Sequence, residues 1–195
     1  MSGCASPDSR PLRERKKQHT SQRIHKEALR LALEAGSASQ VTVRAICEAA
    51  EVSQRTFFNY YSSKPAAVLG IPGLSIPQEV RATFLSGEGD LVDDLCILIA
   101  GIIDDSGVGP EDHRGVKHLL RQDPELGFQM FSLLRSFRAE LRDLVGTRSD
   151  LRTAGMVVAL VFTAMPFCYF PAEGDDPSDR LLDRLRRSVK EIQHL

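Results

Sequence analysis

At 195 residues, 42% of them hydrophobic and 26% charged, the chain can bury a substantial core and is too apolar to stay disordered throughout. Its four cysteines, Cys4, Cys47, Cys96 and Cys168, stand far apart with no CxxC pair, which argues against a zinc ribbon or disulfide scaffold and for reduced thiols. The formal net charge of -1 hides a division: residues 1–70 carry 11 Lys and Arg against 6 Asp and Glu, and residues 71–195 carry 14 against 20, so a polyanionic partner is expected at the first part alone.

Residues 1–19 hold the run RPLRERKK, Arg10 to Lys17, and few apolar side chains, which predicts a flexible basic arm able to add contacts to a polyanion. No apolar stretch follows the run as in a secretory signal, so a cytoplasmic location is expected. From Ser21, the residues Ile24, Ala28, Leu31, Ala32 and Ala35 recur at helical spacing, and Gly36 stands where a helix C-terminal cap belongs. A first helix of about four turns is predicted there.

Residues 41–70 follow as VTVRAICEAAEVSQRTFFNYYSSKPAAVLG. Thr42 is placed to cap a short helix through Val43, Ile46 and Ala50, Ser53 to cap a second, and Ser63 a third, with Pro65 near its first position. Two short helices joined by so tight a turn predict a helix-turn-helix. Ile46, Ala50, Val52, Phe57 and Tyr61 would face inward, and small Cys47 permits close crossing. Between the rings stand Gln54, Arg55, Thr56 and Asn59, side chains of the kinds that read base edges or grip phosphates.

IPGLSIP, Ile71 to Pro77, reads as a linker, which divides the chain into the arm 1–19, a first domain 20–70 and a second domain 71–195. Beyond it, helices are predicted at Leu91–Asp105, His113–Gln122, Pro124–Val145, Asp150 to about Phe167, and Ser178–Gln193. No stretch alternates as a strand does, so the chain reads as all-α. Ala154 to Ala172 carries no charge for 19 residues, long enough to cross a bilayer, but Pro166 and Pro171 limit a regular helix to roughly three turns. It is expected in a core or dimer interface, not in a membrane. Leu181, Leu182, Leu185, Val189 and Ile192 on one side of the last helix would complete a four-helix interface with a second copy.

Residues 41–64, VTVRAICEAAEVSQRTFFNYYSSK, resemble the DNA-binding domain of the tetracycline repressor (TetR) family, whose members read approximately T-v-r-x-I-A-x-x-A-G-V-S-x-x-T-x-Y-x-x-F-x-x-K. Thr42, Ile46, Ala50, Val52, Ser53, Thr56 and Lys64 match directly. Glu51 stands at the turn glycine, where a positive φ would strain it, and Phe58 replaces a tyrosine whose hydroxyl often meets a phosphate. The resemblance implies an N-terminal three-helix helix-turn-helix domain followed by a larger helical domain for dimerisation and ligand binding. It implies a homodimeric repressor on a palindromic DNA operator, released by a small-molecule effector, with no cofactor.

A recognition helix of this kind lays its N-terminal half against base edges in the major groove. Arg55 suits guanine, Gln54 and Asn59 suit adenine, and the Thr56 methyl suits thymine. Thr42, Arg44, Ser53, Tyr60 and Lys64 are the expected phosphate anchors. For the effector, Leu95, Leu98, Ile99, Ile102, Leu120, Phe128, Phe131, Leu134, Phe162 and Met165 are the apolar candidates on helices expected to enclose a cavity.

His113 and His118 are five apart, off one helical face, so no metal pair is expected. GLSIP, Gly73 to Pro77, lacks the final glycine and flanking strand of a nucleophile elbow, and no catalytic constellation emerges. The rival reading is an all-α ligand-binding or scaffold dimer whose helix-turn-helix no longer engages DNA.

Overall fold

The computed structural model describes residues 12–72, 76–106, 108–169 and 179–195. Among them are α1 (Leu12–Ala35), α2 (Val43–Ala49), α3 (Gln54–Tyr60), α4 (Lys64–Val68), α5 (Gln78–Ser86), α6 (Leu91–Ser106), α7 (Pro110–Gln122), α8 (Pro124–Val145), α9 (Leu151–Tyr169) and α10 (Leu181–Gln193). A 3-10 turn spans Ala38–Gln40, and the described residues contain no strand. The fold is all-α, with a helix-turn-helix at its N-terminal end.

Three serine and threonine caps set the short helices. Thr42 Oγ1 accepts from Ala45 N at 3.1 Å, Ser53 Oγ from Thr56 N at 3.0 Å, and Ser63 Oγ from Ala66 N at 3.3 Å. Each satisfies an amide that the first helical turn leaves without a partner. The turn between α2 and α3 closes with Val52 N donating to Cys47 O at 2.9 Å while Glu51 takes φ 50°. The same closure ends α4, where Gly70 at φ 67° lets Ile71 N reach Ala66 O at 2.9 Å.

Beneath this frame, Ile24, Ala28 and Ala32 of α1, Ile46 and Ala50 of the α2 side, and Phe57 and Tyr61 of the α3 side form one buried cluster. Tyr61 is tied in by polarity as well, its hydroxyl donating to Ser21 O at 3.1 Å and accepting from Ser21 Oγ at 3.0 Å. Burial pushes its phenol up to about 12, so it stays neutral. Val116, Leu119 and Leu126 of α7 and α8 belong to the same cluster, so these later helices help build the core beneath the helix-turn-helix.

A second cluster gathers α6, α8, α9 and α10 around Leu95, Leu141, Val161 and Leu185. Arg186 on α10 grips Asp93 on α6 with two hydrogen bonds at 2.6 and 2.8 Å. At the other end Arg148 donates to Asp94, Phe84 O and Gly89 O, holding the α5–α6 connection against the α8–α9 corner.

The structure departs from the sequence expectations in four places. Helix α1 starts at Leu12, so residues 12–19, expected as an arm, are helical; residues 1–11 lie outside the described residues. Helix α5 was not anticipated, because Phe84 is its one buried side chain and gives no periodic signal. Helix α9 runs unbroken through Pro166 to Tyr169, slightly past the end expected near Phe167. On α10, Leu181, Leu185 and Val189 are buried inside the protomer against α6 and α9, leaving only Leu182 and Ile192 half-buried for any interface.

Candidate nucleic-acid interface and the adjoining cavity

Helix α3 separates its faces cleanly. Phe57 is 0% exposed and Tyr61 2%, which locks the rod onto its own domain. Gln54, Arg55 and Asn59 are exposed on the side away from that anchor, and Thr56 and Tyr60 are half-buried along its edge. Thr56 Oγ1 and Ser53 Oγ share a hydrogen bond of 2.9 Å, so the residues capping the helix also fix its first turn. The rod therefore presents one long cation and two amides, the groups able to bond base edges bidentately.

Phe58 is 55% exposed and its ring sits edge-on to Phe57 with centroids 5.2 Å apart. It lies one turn after Gln54, on a flank of the exposed face, and carries no hydroxyl for a phosphate. Tyr60 is the nearest phenol that is not fully enclosed.

The expected phosphate anchors divide in two. Thr42 and Ser53 are exposed at the starts of α2 and α3, and Arg44 is exposed but ion-paired with Glu48 at 2.8 Å, a contact that a phosphate can replace. Lys64 instead turns its ammonium inward, donating to Ser39 O at 3.1 Å and Val41 O at 2.7 Å. It pins the segment before α2 to the start of α4, so its first role is to hold the motif together.

Behind α4, the second domain contains an apolar cavity of about 190 Å3. Of the ten residues expected there, Ile99, Ile102, Leu134, Phe162 and Met165 line it. Leu95 and Leu98 are buried in the helical core instead. Leu120 packs against the first domain's cluster, because its side of α7 faces that way. Phe128 and Phe131 lie on the surface of α8, 68% and 62% exposed. The sequence reading missed Leu69, Gly70, Ile71 and Pro72, which run from the end of α4 into the expected linker and form one wall. Gly70 is obligatory there: a Cβ would fall 2.7 Å from Val108 Cγ2 and 2.9 Å from His25 Cε1. Its place as a cap glycine at the domain boundary was the one signal available.

Cys47, Cys96 and Cys168 are buried and form no disulfide with one another; Cys4 lies outside the described residues. No group of three or more His, Cys, Asp or Glu able to hold a metal occurs among the described residues. Among the described residues one helix, α9, is long and apolar enough over Leu151–Cys168 to cross a membrane, and it packs here against α6, α8 and α10.

Residues 24–68 match the family described as "Bacterial regulatory proteins, tetR family". No curated protein matches the chain. Among solved structures, a transcriptional regulator (TerR/AcrR family) from Aquifex aeolicus VF5 is 14% identical, covering 89% of this chain and 99% of its own, at TM-score 0.44. The fatty acid degradation regulator FadR from Bacillus halodurans is 17% identical over 88% of this chain and 93% of its own, at TM-score 0.46. A TetR transcriptional regulator from Rhodococcus sp. RHA1 is 16% identical over 93% and 98%, at TM-score 0.39. Residues 24–68, the capped and ring-anchored helix-turn-helix, are thus similar to the DNA-binding part of the tetR family of bacterial regulatory proteins.

Proposed function

We propose that the chain is a cytoplasmic homodimeric repressor that grips a palindromic DNA operator with α3 and lets go when a small molecule fills the cavity behind α4. The observation that carries the DNA-binding part is the division of α3: Arg55, Gln54 and Asn59 free on the outside, Phe57 and Tyr61 buried beneath them. Such a rod enters the major groove without disturbing its own domain. The test is a gel shift on DNA selected from a genomic library, wild type beside Arg55→Ala. Losing a bidentate contact to guanine costs about 1–3 kcal/mol, so specific retention should fall roughly tenfold while the helical circular dichroism is unchanged. No retention by either protein favours the scaffold dimer instead.

A second copy is the natural cover for the outer stripe of α9. Met156, Ala159, Thr163 and Phe167 recur every three or four residues and are all exposed, with Met156 and Phe167 among the largest exposed apolar side chains. A Met156→Glu, Phe167→Glu variant should sediment as a monomer and bind the operator far more weakly, since two half-sites no longer act together. An unchanged dimer would refute this choice of face.

The effector part rests on where the cavity wall lies. Leu69 to Pro72 are both the floor of the cavity and the exit from α4, so a molecule filling the space bears directly on the first domain. A ligand that favours one spacing of the two recognition helices shifts the population away from the spacing that the operator requires.

A further inference from the structure

We propose that the effector is an amphiphilic anion, with its head group held by Arg135, Arg138 and Arg142 of α8 and its apolar end in the 190 Å3 cavity. The proposal rests on the effector reading above and gives the ligand a chemical class. A groove of about 430 Å3 runs between α8 and α9, lined by those three arginines over a floor that includes Leu134, Val158 and Phe162. The arginines stand three and four residues apart, so they form one row along the helix. They do so in a domain whose charge is otherwise acidic.

What makes the row unusual is its lack of compensation. Glu140, on the same helix, is taken by Arg81 at 2.6 Å. Arg142 has Asp143 only at 3.6 Å. Among the described residues no carboxylate pairs with Arg135 or Arg138, and the half-buried Arg138 guanidinium lies 4.9 Å over the Phe162 ring. A guanidinium beside apolar surface gains most from a carboxylate or phosphate that it can bond bidentately. Leu134 and Phe162 line both the groove and the cavity, so the two spaces meet at these side chains. A cavity of roughly 150 Å3 with apolar walls accepts a benzene, so 190 Å3 takes a single ring or a short alkyl chain.

The test uses the full chain and four probes sharing one tail: octanoate, octyl phosphate, octanol and octyltrimethylammonium. Calorimetry should show octanoate or octyl phosphate binding roughly tenfold or more tightly than octanol, and the cation not at all. Which anion binds better identifies a carboxylate or a phosphate head group. Arg138→Gln and the Arg135→Gln, Arg142→Gln pair should remove the anion's advantage while leaving octanol affinity unchanged, a control that also reports an intact cavity. Octanol binding as tightly as either anion, anion binding indifferent to the arginines, or no binding by any probe would each overturn the proposal. An anion that binds through the arginines yet leaves the operator complex intact upholds the site and refutes the effector reading.

Discussion

Glu51 stands in the backbone conformation that glycine adopts most easily, with φ at 50°, and it is the one non-glycine residue at positive φ among those described. The reason is the turn: α2 ends at Ala49, and the bond from Val52 N to Cys47 O at 2.9 Å forms only if the residue between swings left-handed. An L side chain there stores about 1 kcal/mol. Replacing it with glycine should therefore raise stability by about 1 kcal/mol and the melting temperature by roughly 2–4 °C, as thermal unfolding would show. Operator affinity should not move, because the Glu51 side chain is exposed outside α3. The strain could be foreseen from the sequence because the position is fixed by a local pattern. Gly70 has the same left-handed geometry but no such freedom, since Val108 and His25 occupy the space of any side chain.

Asp123 shows why other parts of the design were not legible. The caps of α2, α3 and α4 are bonds across three residues, so Thr42, Ser53 and Ser63 could be read from spacing alone. Asp123 caps α8 in the same local way, accepting from Leu126 N at 3.1 Å. Its other oxygen, however, accepts from Ser37 Oγ at 2.7 Å and Ala38 N at 3.1 Å, more than eighty residues away. Those bonds, with the Ser37 hydroxyl foremost, hold its carboxyl below the usual range and latch α8 to the segment leading into α2. Asp123→Ala should cost about 2–4 kcal/mol in urea unfolding, the cap together with the charged hydrogen bonds. A loss under 1 kcal/mol would mean water replaces the latch. The same limit governs α10 and the cavity: periodicity shows which side of a helix is apolar, not what will cover it. Hence Leu185 turned out to face α6 and α9, Leu120 to face α1's cluster, and Phe128 to face solvent.

Across the whole molecule, the seam between the helix-turn-helix and the helices behind it holds two histidines, one buried and one half-buried. His25 of α1 is 1% exposed, with Nδ1 2.8 Å from Ala67 O and Nε2 without a hydrogen-bond partner beside Gly70. His113 of α7 is close enough to feel its charge, and burial pushes its imidazole down to about 4. Burial lowers His25 as well; Asp112 opposes the shift at both rings, while Lys26 reinforces it at His25 and Arg184 at His113. Both rings are thus held neutral in the folded chain, whereas the unfolded chain takes up protons near 6.5. Between those values the unfolded state binds more protons, so stability must fall as pH falls from about 6.5 towards 4. The lowered carboxylates Asp93, Asp123 and Asp150 contribute most of their loss as pH falls from about 5 through their ordinary value of 3.8, which leaves the window above about 5 to the histidines. Urea midpoints measured from pH 7 to pH 5 should therefore decline for the wild type and decline less steeply for His113→Gln, which has no proton to take up at that position. Equal slopes would show that the unfolded chain gains nothing by protonating this residue. A steeper slope in wild type would tie acid sensitivity to the seam between the DNA-gripping domain and the one behind it, because His25 contacts Ala67 and Gly70 at the end of α4.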